Sequence, residues 1–470
     1  MTNASVKIKI EGRDLFPAKT EGQSNVFSDM PFTLTRARWM EDHEAVMCNV
    51  CNQKFNQLRR KHHCRVCGRV VCNKCCKEKV PLPQLGYAEP ERSCDDCRPI
   101  TELITKSRSP LVSFQLESAS GLYQAMQDTL GLVKILQLGG LQTLVYLSRT
   151  DHTEIRNTCA AAIQMFSTHT ALHSLLSDAG AIKAVCSLLQ KAHGSEEQTI
   201  INAISALMIF CKSPDLKLQA IEDGALQPVM QLCSAKEEIA LLAMMSLSLI
   251  VEHYGTHPAI IENDRNALPR ILDLTTSRDE QMQEVAFRIL ATLSMSTDRH
   301  RQRLVQEDLS SGKRFVQAVN RKPKNTQVLC NAACLFANIA TLQEHNQGSL
   351  QDYLICSCEM LELYSTHNDV ITHVSRGIAN FSKYKIHTSV IIQHLDNIIK
   401  RLLKSSVVNI QYQGVRVVLY LLRHSTDTTT SALLREGATD VLHGIVGIPG
   451  VMESAQAAIL QNVPERAKPS

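Results

Sequence analysis

The 470-residue sequence predicts a multidomain fold: a small metal-organised module near the N-terminus, then an all-α array of helical repeats. Three observations predict it. Nine of the 17 cysteines fall between Cys48 and Cys97, eight of them as four Cys-x-x-Cys pairs. Beyond Cys97 the pairing stops, and apolar helical patterns recur at intervals of about 39–46 residues. Aromatic residues are only 4% of the chain, with a single Trp, so any large core must be aliphatic, as it is in helical repeats.

Bulk composition narrows the classes of function. Hydrophobic content of 44% and charged content of 20% are those of an ordinary globular chain. A net charge of +4 is too small to imply nucleic-acid binding by itself, so a basic function has to come from a local patch. Residues 1–9 contain no apolar run of leader length, and no uninterrupted apolar stretch of about 18 residues suggests a membrane-spanning helix. A reducing compartment is therefore expected, where paired cysteines hold metal more often than they form disulfides.

Residues 1–36 are polar with little periodicity and read as a flexible segment. Residues 6–10 alternate as a short strand would. Asp14-Leu15-Phe16 and Asn25-Val26-Phe27 have the form of short peptide ligands for trafficking adaptors.

Residues 37–100 hold the pairs Cys48/Cys51, Cys64/Cys67, Cys72/Cys75 and Cys94/Cys97. Two residues between cysteines let a tight turn aim both sulfurs at one ion, and eight thiolates satisfy two tetrahedral Zn²⁺ ions. Two sequential zinc ribbons would use the same number of ligands, so the count leaves the topology open. Between the first two pairs lies Arg59-Arg60-Lys61-His62-His63, and Arg65 follows Cys64, which makes a run of four cations and two histidines.

Three elements around these pairs resemble the FYVE zinc finger family: Trp39-Met40-Glu41-Asp42 its WxxD element, residues 60–65 its R(R/K)HHCR element, and Arg92-Ser93-Cys94 its RVC element with Ser in place of Val. The resemblance implies a cross-brace, with Cys48, Cys51, Cys72 and Cys75 on one zinc and Cys64, Cys67, Cys94 and Cys97 on the other. Cys76 is left as a spare thiol. It also implies the ligand phosphatidylinositol 3-phosphate on endosomal membranes. Arg60, Arg65 and Arg92 would approach the phosphates, Lys61 would add charge, His62 and His63 would donate hydrogen bonds, and Asp42 would accept from ring hydroxyls. The chemistry suits a phosphomonoester, because Arg offers a planar fork of donors and Lys a compact charge. The loop before the basic run offers only Leu58 for membrane insertion, where relatives often carry two apolar residues. One buried leucine contributes roughly 1.5–3 kcal/mol, so shallow insertion is expected. A RING-like ubiquitin ligase with an armadillo substrate-binding domain is the alternative. RING modules also interleave two zincs, but their ligands usually include an inner His and they have no use for the WxxD and basic elements. A nucleic-acid-binding zinc protein is a third reading.

Residues 101–120 read as a linker or first helix, 121–460 as the repeat array, and 461–470 as a flexible tail. Gly139-Gly140-Leu141, Ala179-Gly180-Ala181, Asp223-Gly224-Ala225 and Glu436-Gly437-Ala438 each open an apolar helical pattern. Longer helices rich in small residues follow these openings, near 156–167, 201–211, 240–251, 284–294, 331–341, 373–382 and 411–422. About seven units fit, degenerate around 295–325 and 383–405. The stretches 335–340 and 378–381 resemble the armadillo signature, which implies a superhelical array with a partner-binding face. Asn338 and Asn380 are the weak candidates for holding a peptide backbone there. The eight cysteines from Cys159 to Cys358 read as small buried hydrophobes. No catalytic constellation is present, and His253, His300 and His373 lack ligand spacing. The chain is thus expected to be a non-enzymatic scaffold: a cytoplasmic adaptor, peripheral on the early endosome membrane, that holds an unidentified protein partner on its repeats.

Overall fold

The computed structural model describes residues 7–445 other than 11, 24, 29–31 and 193. The expected tail at 461–470 and the last stretch of the expected array, 446–460, lie outside the described residues. The chain divides into two compact units, Met1–Ile250 and Val251–Ser470.

The first unit opens with a hairpin in which β1 (Ile8–Ile10) pairs antiparallel with β2 (Arg13–Leu15). The expectation of a flexible 1–36 is corrected in its described part, because Ile10, Leu15, Val26, Phe32 and Leu34 are buried. The segment acts as a strap. Leu34 N donates to Gln84 O and Ala18 N to Leu136 O, while Gln142 Nε2 donates back to Ala18 O at 2.8 Å. Arg36 donates to the carbonyls of Leu85 and Gly86 and lies 4.0 Å over the Tyr87 ring. The two peptide-like motifs are part of this strap, each seating its central residue while Asp14 and Phe16 stay exposed. Leu15 and Val26 are buried, and Asn25 Oδ1 accepts from the amides of Phe27 and Ser28.

The cysteine-rich module follows. In it β3 (Lys61–His63) pairs with β4 (Val70–Cys72), and β5 (Lys79–Val80) with β6 (Glu91–Arg92), both antiparallel. Strands this short bury little apolar surface, and the centre of the module consists of cysteines around Val71. α1 (Arg98–Lys106) starts directly after Cys97, whose carbonyl accepts from both the amide and the hydroxyl of Thr101. α2 (Val112–Ala125) packs on α1, so most of 101–120 is helix.

Helical repeats occupy the rest of the unit: α3 (Thr129–Leu138), α4 (Gly140–Leu147) and α5 (Thr153–Ser167); α6 (His173–Ala179), α7 (Ala181–Lys191) and α8 (Glu197–Phe210); α9 (Pro214–Glu222), α10 (Leu226–Leu232) and α11 (Glu237–Ile250). The Gly-containing openings are the turns between first and second helices. Gly139 and Gly180 stand at φ +92° and +82°, left-handed conformations that end one helix and bend the chain by 78° and 73° into the next. Gly139 also receives the strap, since a Cβ there would lie 2.3 Å from Leu34 Cδ1. The long third helices stack, α5 on α8 and α8 on α11. Arg156 and Glu196 form a buried ion pair that ties α5 to the turn before α8, with Nε 3.2 Å from Oε2.

The second unit continues the pattern through α12 (Ala267–Leu274), α13 (Glu280–Ser294), α14 (Asp298–Ser310), α15 (Arg314–Asn320), α16 (Thr326–Ile339), α17 (Gln351–Leu363), α18 (Asn368–Phe381), α19 (Thr388–Gln393), α20 (Leu395–Ile398), α21 (Val408–His424), α22 (Thr426–Arg435) and α23 (Thr439–Ile445). Here α13, α16, α18 and α21 stack in series. Small residues permit the approach: a Cβ on Gly377 would lie 3.4 Å from Ala337 Cα. Across both units the long third helices begin at residues 153, 197, 237, 280, 326, 368 and 408, intervals of 40–46 residues. The second half of the chain and the end of the first are thus a helical repeat array. The expected degeneracy is uneven. Residues 298–320 form two regular helices, whereas 388–403 break into α19, α20 and a single π turn over Ile399–Leu403.

Among the described residues no single helix is long and apolar enough to cross a membrane. Of the eight cysteines in the array, Cys159, Cys186, Cys211, Cys233, Cys356 and Cys358 are buried as expected; Cys330 and Cys334 are only half-buried.

Candidate metal centres and the basic face beside them

Cys48, Cys51, Cys72 and Cys75 bring their sulfurs within 4.8 Å of one another, and so do Cys64, Cys67, Cys94 and Cys97. Four sulfurs about 2.3 Å from one zinc lie about 3.8 Å apart. The measured Cys51–Cys72 and Cys67–Cys94 separations are 3.8 and 4.0 Å. Both groups therefore fit Zn²⁺, and each joins the first and third or the second and fourth pair, the interleaved arrangement. Backbone amides support the sulfurs: Cys72 N donates to Cys48 Sγ and Cys94 N to Cys64 Sγ. The two centres differ in their surroundings. Cys51 is exposed, whereas the second centre is flanked by Arg69, whose Nε donates to Cys67 Sγ at 3.3 Å. Cys76 is buried, its thiol donates to Cys72 O, and burial raises its pKa, so it stays outside the ligand set.

The basic face is built on β3 and β6. Arg65 N donates to Arg92 O at 2.9 Å, which stitches the two motif segments together. Arg65 also donates to His63 O and lies 3.4 Å from Glu91. Arg92 reaches Asn73 Oδ1 and Cys76 O. Arg60 is exposed. His62 sits within this group. Its pKa is lowered first by burial and then by the charges of Arg92, Arg60 and Arg65.

Strand alternation sends Lys61 and His63 to the face opposite His62. There Lys61 Nζ donates to Asp42 O at 2.5 Å, and His63 Nε2 contacts Met40 O at 2.8 Å and lies 3.7 Å from Asp42 Oδ1. Trp39 stacks on His63 with ring centroids 4.6 Å apart, and Arg65 lies 4.4 Å over its ring. Gly68 makes this arrangement possible. It stands at φ +74°, and a Cβ there would lie 2.2 Å from Arg38 O, so the Trp39 segment can cross only a glycine. All seven sequence-nominated residues, Asp42, Arg60, Lys61, His62, His63, Arg65 and Arg92, thus lie on or beside one short hairpin.

Leu58 is 98% exposed at the tip of a tight turn, in which Asn56 and Arg59 exchange backbone hydrogen bonds and Asn56 Oδ1 accepts from the amides of Leu58 and Arg59. Val46 and Met47, which sequence reasoning missed, are also exposed, on the segment that pairs with Lys54 and Phe55 just before this turn. The two candidates for peptide binding are placed otherwise than expected. Asn338 is buried, and its Nδ2 donates to Ala291 O and Ser294 Oγ on α13. Asn380 Nδ2 donates to Ala337 O on α16, and its Oδ1 accepts from Arg416 on α21. Both amides pin neighbouring third helices together, which corrects their nomination as partner contacts.

Comparison with known proteins agrees with this geometry. Residues 38–102 match the FYVE zinc finger family. The chain is 42% identical over 65 residues to the lateral signaling target protein 2 homolog of Brugia malayi, 14% of this chain and 10% of that protein. It is 42% identical over 62 residues to the 1-phosphatidylinositol 3-phosphate 5-kinase of Mus musculus, 13% of this chain and 3% of that one. The match thus spans a tenth or less of these relatives. A crystal structure of an engineered protein aligns over 78% of this chain and 98% of its own length, with TM-score 0.57 and 18% identity, which shows the fold alone. Residues 38–102 are a FYVE zinc finger with two four-cysteine zinc sites, and a helical repeat array follows it.

Proposed function

We propose that the FYVE finger reads phosphatidylinositol 3-phosphate on an endosomal membrane and that the repeat array carries a protein partner to it, without catalysis. The observation that carries the reading is the joining of the two arginine-bearing motif segments, where Arg65 N donates to Arg92 O at 2.9 Å just after the exposed Arg60 and the Lys61–His63 strand. A phosphomonoester bears up to two negative charges and several acceptor oxygens, and three guanidinium forks on adjoining segments match it. Zinc supplies the rigidity. With a centre made mostly of the eight cysteine ligands, metal binding and folding of this part of the module are coupled, and the cations are held in place before the lipid arrives.

The remaining nominated residues take supporting roles. Lys61 adds charge, His63 donates to the head group or holds the Trp39 segment, and Asp42 accepts from ring hydroxyls and rejects a phosphate at its position. Leu58, at the apex of its turn, enters the bilayer. The relationship to a kinase named for phosphatidylinositol 3-phosphate supports the choice of lipid. Regularly stacked third helices offer an extended face for a partner.

Calorimetric titration of the full chain with a soluble short-chain phosphatidylinositol 3-phosphate tests the assignment. Arg60→Ala and Arg65→Ala are each expected to weaken binding by about tenfold or more, the equivalent of a lost charge-assisted hydrogen bond. Undiminished affinity in both, with zinc content intact, would remove the basis of the proposal.

A further inference from the structure

We infer that Val46 and Met47 form a second membrane-contacting edge of the finger, which widens the single-residue tip at Leu58 into an apolar patch. The inference rests on the lipid reading above and adds a surface to it. Val46 is 69% exposed, Met47 42% and Leu58 98%. Their exposure would be ordinary if they were scattered, but the backbone joins them. Phe55 N donates to Val46 O at 3.3 Å, and Met47 pairs with Lys54 in an antiparallel bridge. The segment before Cys48 therefore runs alongside the strand that climbs into the Leu58 turn, and Val46 stands one pairing and one turn from its tip.

The chemistry of the surroundings selects the occupant. Lys54 and Arg60 are exposed and Arg59 half-exposed on the same hairpin. Lys61 Nζ lies 5.6 Å from the Phe55 ring beneath the turn. Apolar residues rimmed by cations suit the boundary of an anionic bilayer, where side chains enter the acyl region while lysine and arginine meet lipid phosphates. A second copy of the same basic surface would instead bring like charges together. Ala45, beside Val46, is buried and fixes the segment to the module, so the two exposed side chains are held toward solvent and do not collapse onto the core.

The test uses the full chain and two probes. One is vesicles of phosphatidylcholine and phosphatidylserine doped with phosphatidylinositol 3-phosphate; the other is the soluble short-chain lipid. Val46→Ser and Met47→Ser are each expected to lower vesicle partition roughly fivefold to tenfold, the value of one apolar side chain only partly withdrawn from water. Both should leave soluble-lipid affinity and zinc content unchanged, and Val46→Leu should bind vesicles at least as well as the parent. Parental vesicle affinity in both serine variants overturns the inference while the lipid reading stands. So does loss of self-association, measured by analytical ultracentrifugation, in place of a vesicle effect. A parent that binds neither probe overturns the lipid reading and this inference with it.

Discussion

Arg69 holds Cys67: its Nε donates to the Cys67 sulfur at 3.3 Å, while its Nη2 lies 3.7 Å from Cys94 Sγ and 3.0 Å from Asp96. A guanidinium bonded to two ligands of one centre offsets the negative charge of four thiolates around a dication. Among the described residues no such cation is bonded to the other centre's sulfurs, and Cys51 there is exposed. The two zinc sites are therefore unequal.

This inequality predicts biphasic zinc release to a chromophoric chelator, with the Cys48 centre emptying first. Arg69→Gln should weaken the Cys64 centre about 10–100-fold, the usual effect of losing an outer-sphere partner, and merge the two phases. Two phases unchanged by the substitution would show that Arg69 does not support the metal.

Gly68→Ala tests how the Trp39 segment is held. The added methyl meets Arg38 O, and the left-handed backbone disfavours any L side chain there by about 1–2 kcal/mol. Trp39 is the single Trp of the chain, so its fluorescence reports the stack on His63 directly. The variant should keep both zincs, change the intensity of that fluorescence as the half-exposed indole leaves His63 and Arg65, and lose lipid affinity. A parental spectrum would contradict the packing described.

Asn338→Ala should destabilise the second unit by about 1–3 kcal/mol in chemical denaturation, because Ala291 O and Ser294 Oγ lose a buried donor. The zinc content and lipid affinity of the finger should not change. A variant as stable as the parent would return Asn338 to the role of a displayed peptide contact.

The second unit should also show two opposed pH dependences. Burial raises Asp308 from 3.8 to about 6, although Tyr353 and the amide of Phe315 donate to it. The fold thus favours the neutral acid, and this contribution is complete below about pH 4 and lost as pH rises through 6. Burial lowers His387 from 6.5 to about 4, so its contribution is complete above pH 6.5 and lost as pH falls through 4. Relative to the parent, Asp308→Asn should gain roughly 3 kcal/mol of stability as pH rises from about 4 to 7, and His387→Gln should lose a similar amount over the same rise. Urea unfolding at a series of pH values reads both slopes, and parallel curves for all three proteins would contradict the assignments.

The legible parts of this molecule were those with a fixed spacing. Cys48 to Cys97 announce two metal centres because a thiolate pair two residues apart has few other uses, and the third helices announce themselves by period. The strap was illegible because Leu15, Val26, Phe32 and Leu34 follow neither a helical nor a strand period; Val26, Phe32 and Leu34 gather on Val80, Leu82 and Leu85, which only tertiary structure reveals. Val46 and Met47 escaped for a related reason. They stand far from Leu58 in sequence and reach it only through the pairing with Lys54 and Phe55. Asn338 and Asn380 were recognised as special positions, but whether an amide faces a ligand or the preceding helix depends on packing that the signature does not encode.

The most direct measurement of the central claim is flotation of the full chain with vesicles that differ only in one lipid: the 3-phosphate, the 4-phosphate, the 5-phosphate or the 3,5-bisphosphate of phosphatidylinositol. The account predicts flotation with the 3-phosphate, at least tenfold less with the others, and its loss after zinc chelation. Equal flotation with all four, or flotation that survives removal of zinc, would contradict it.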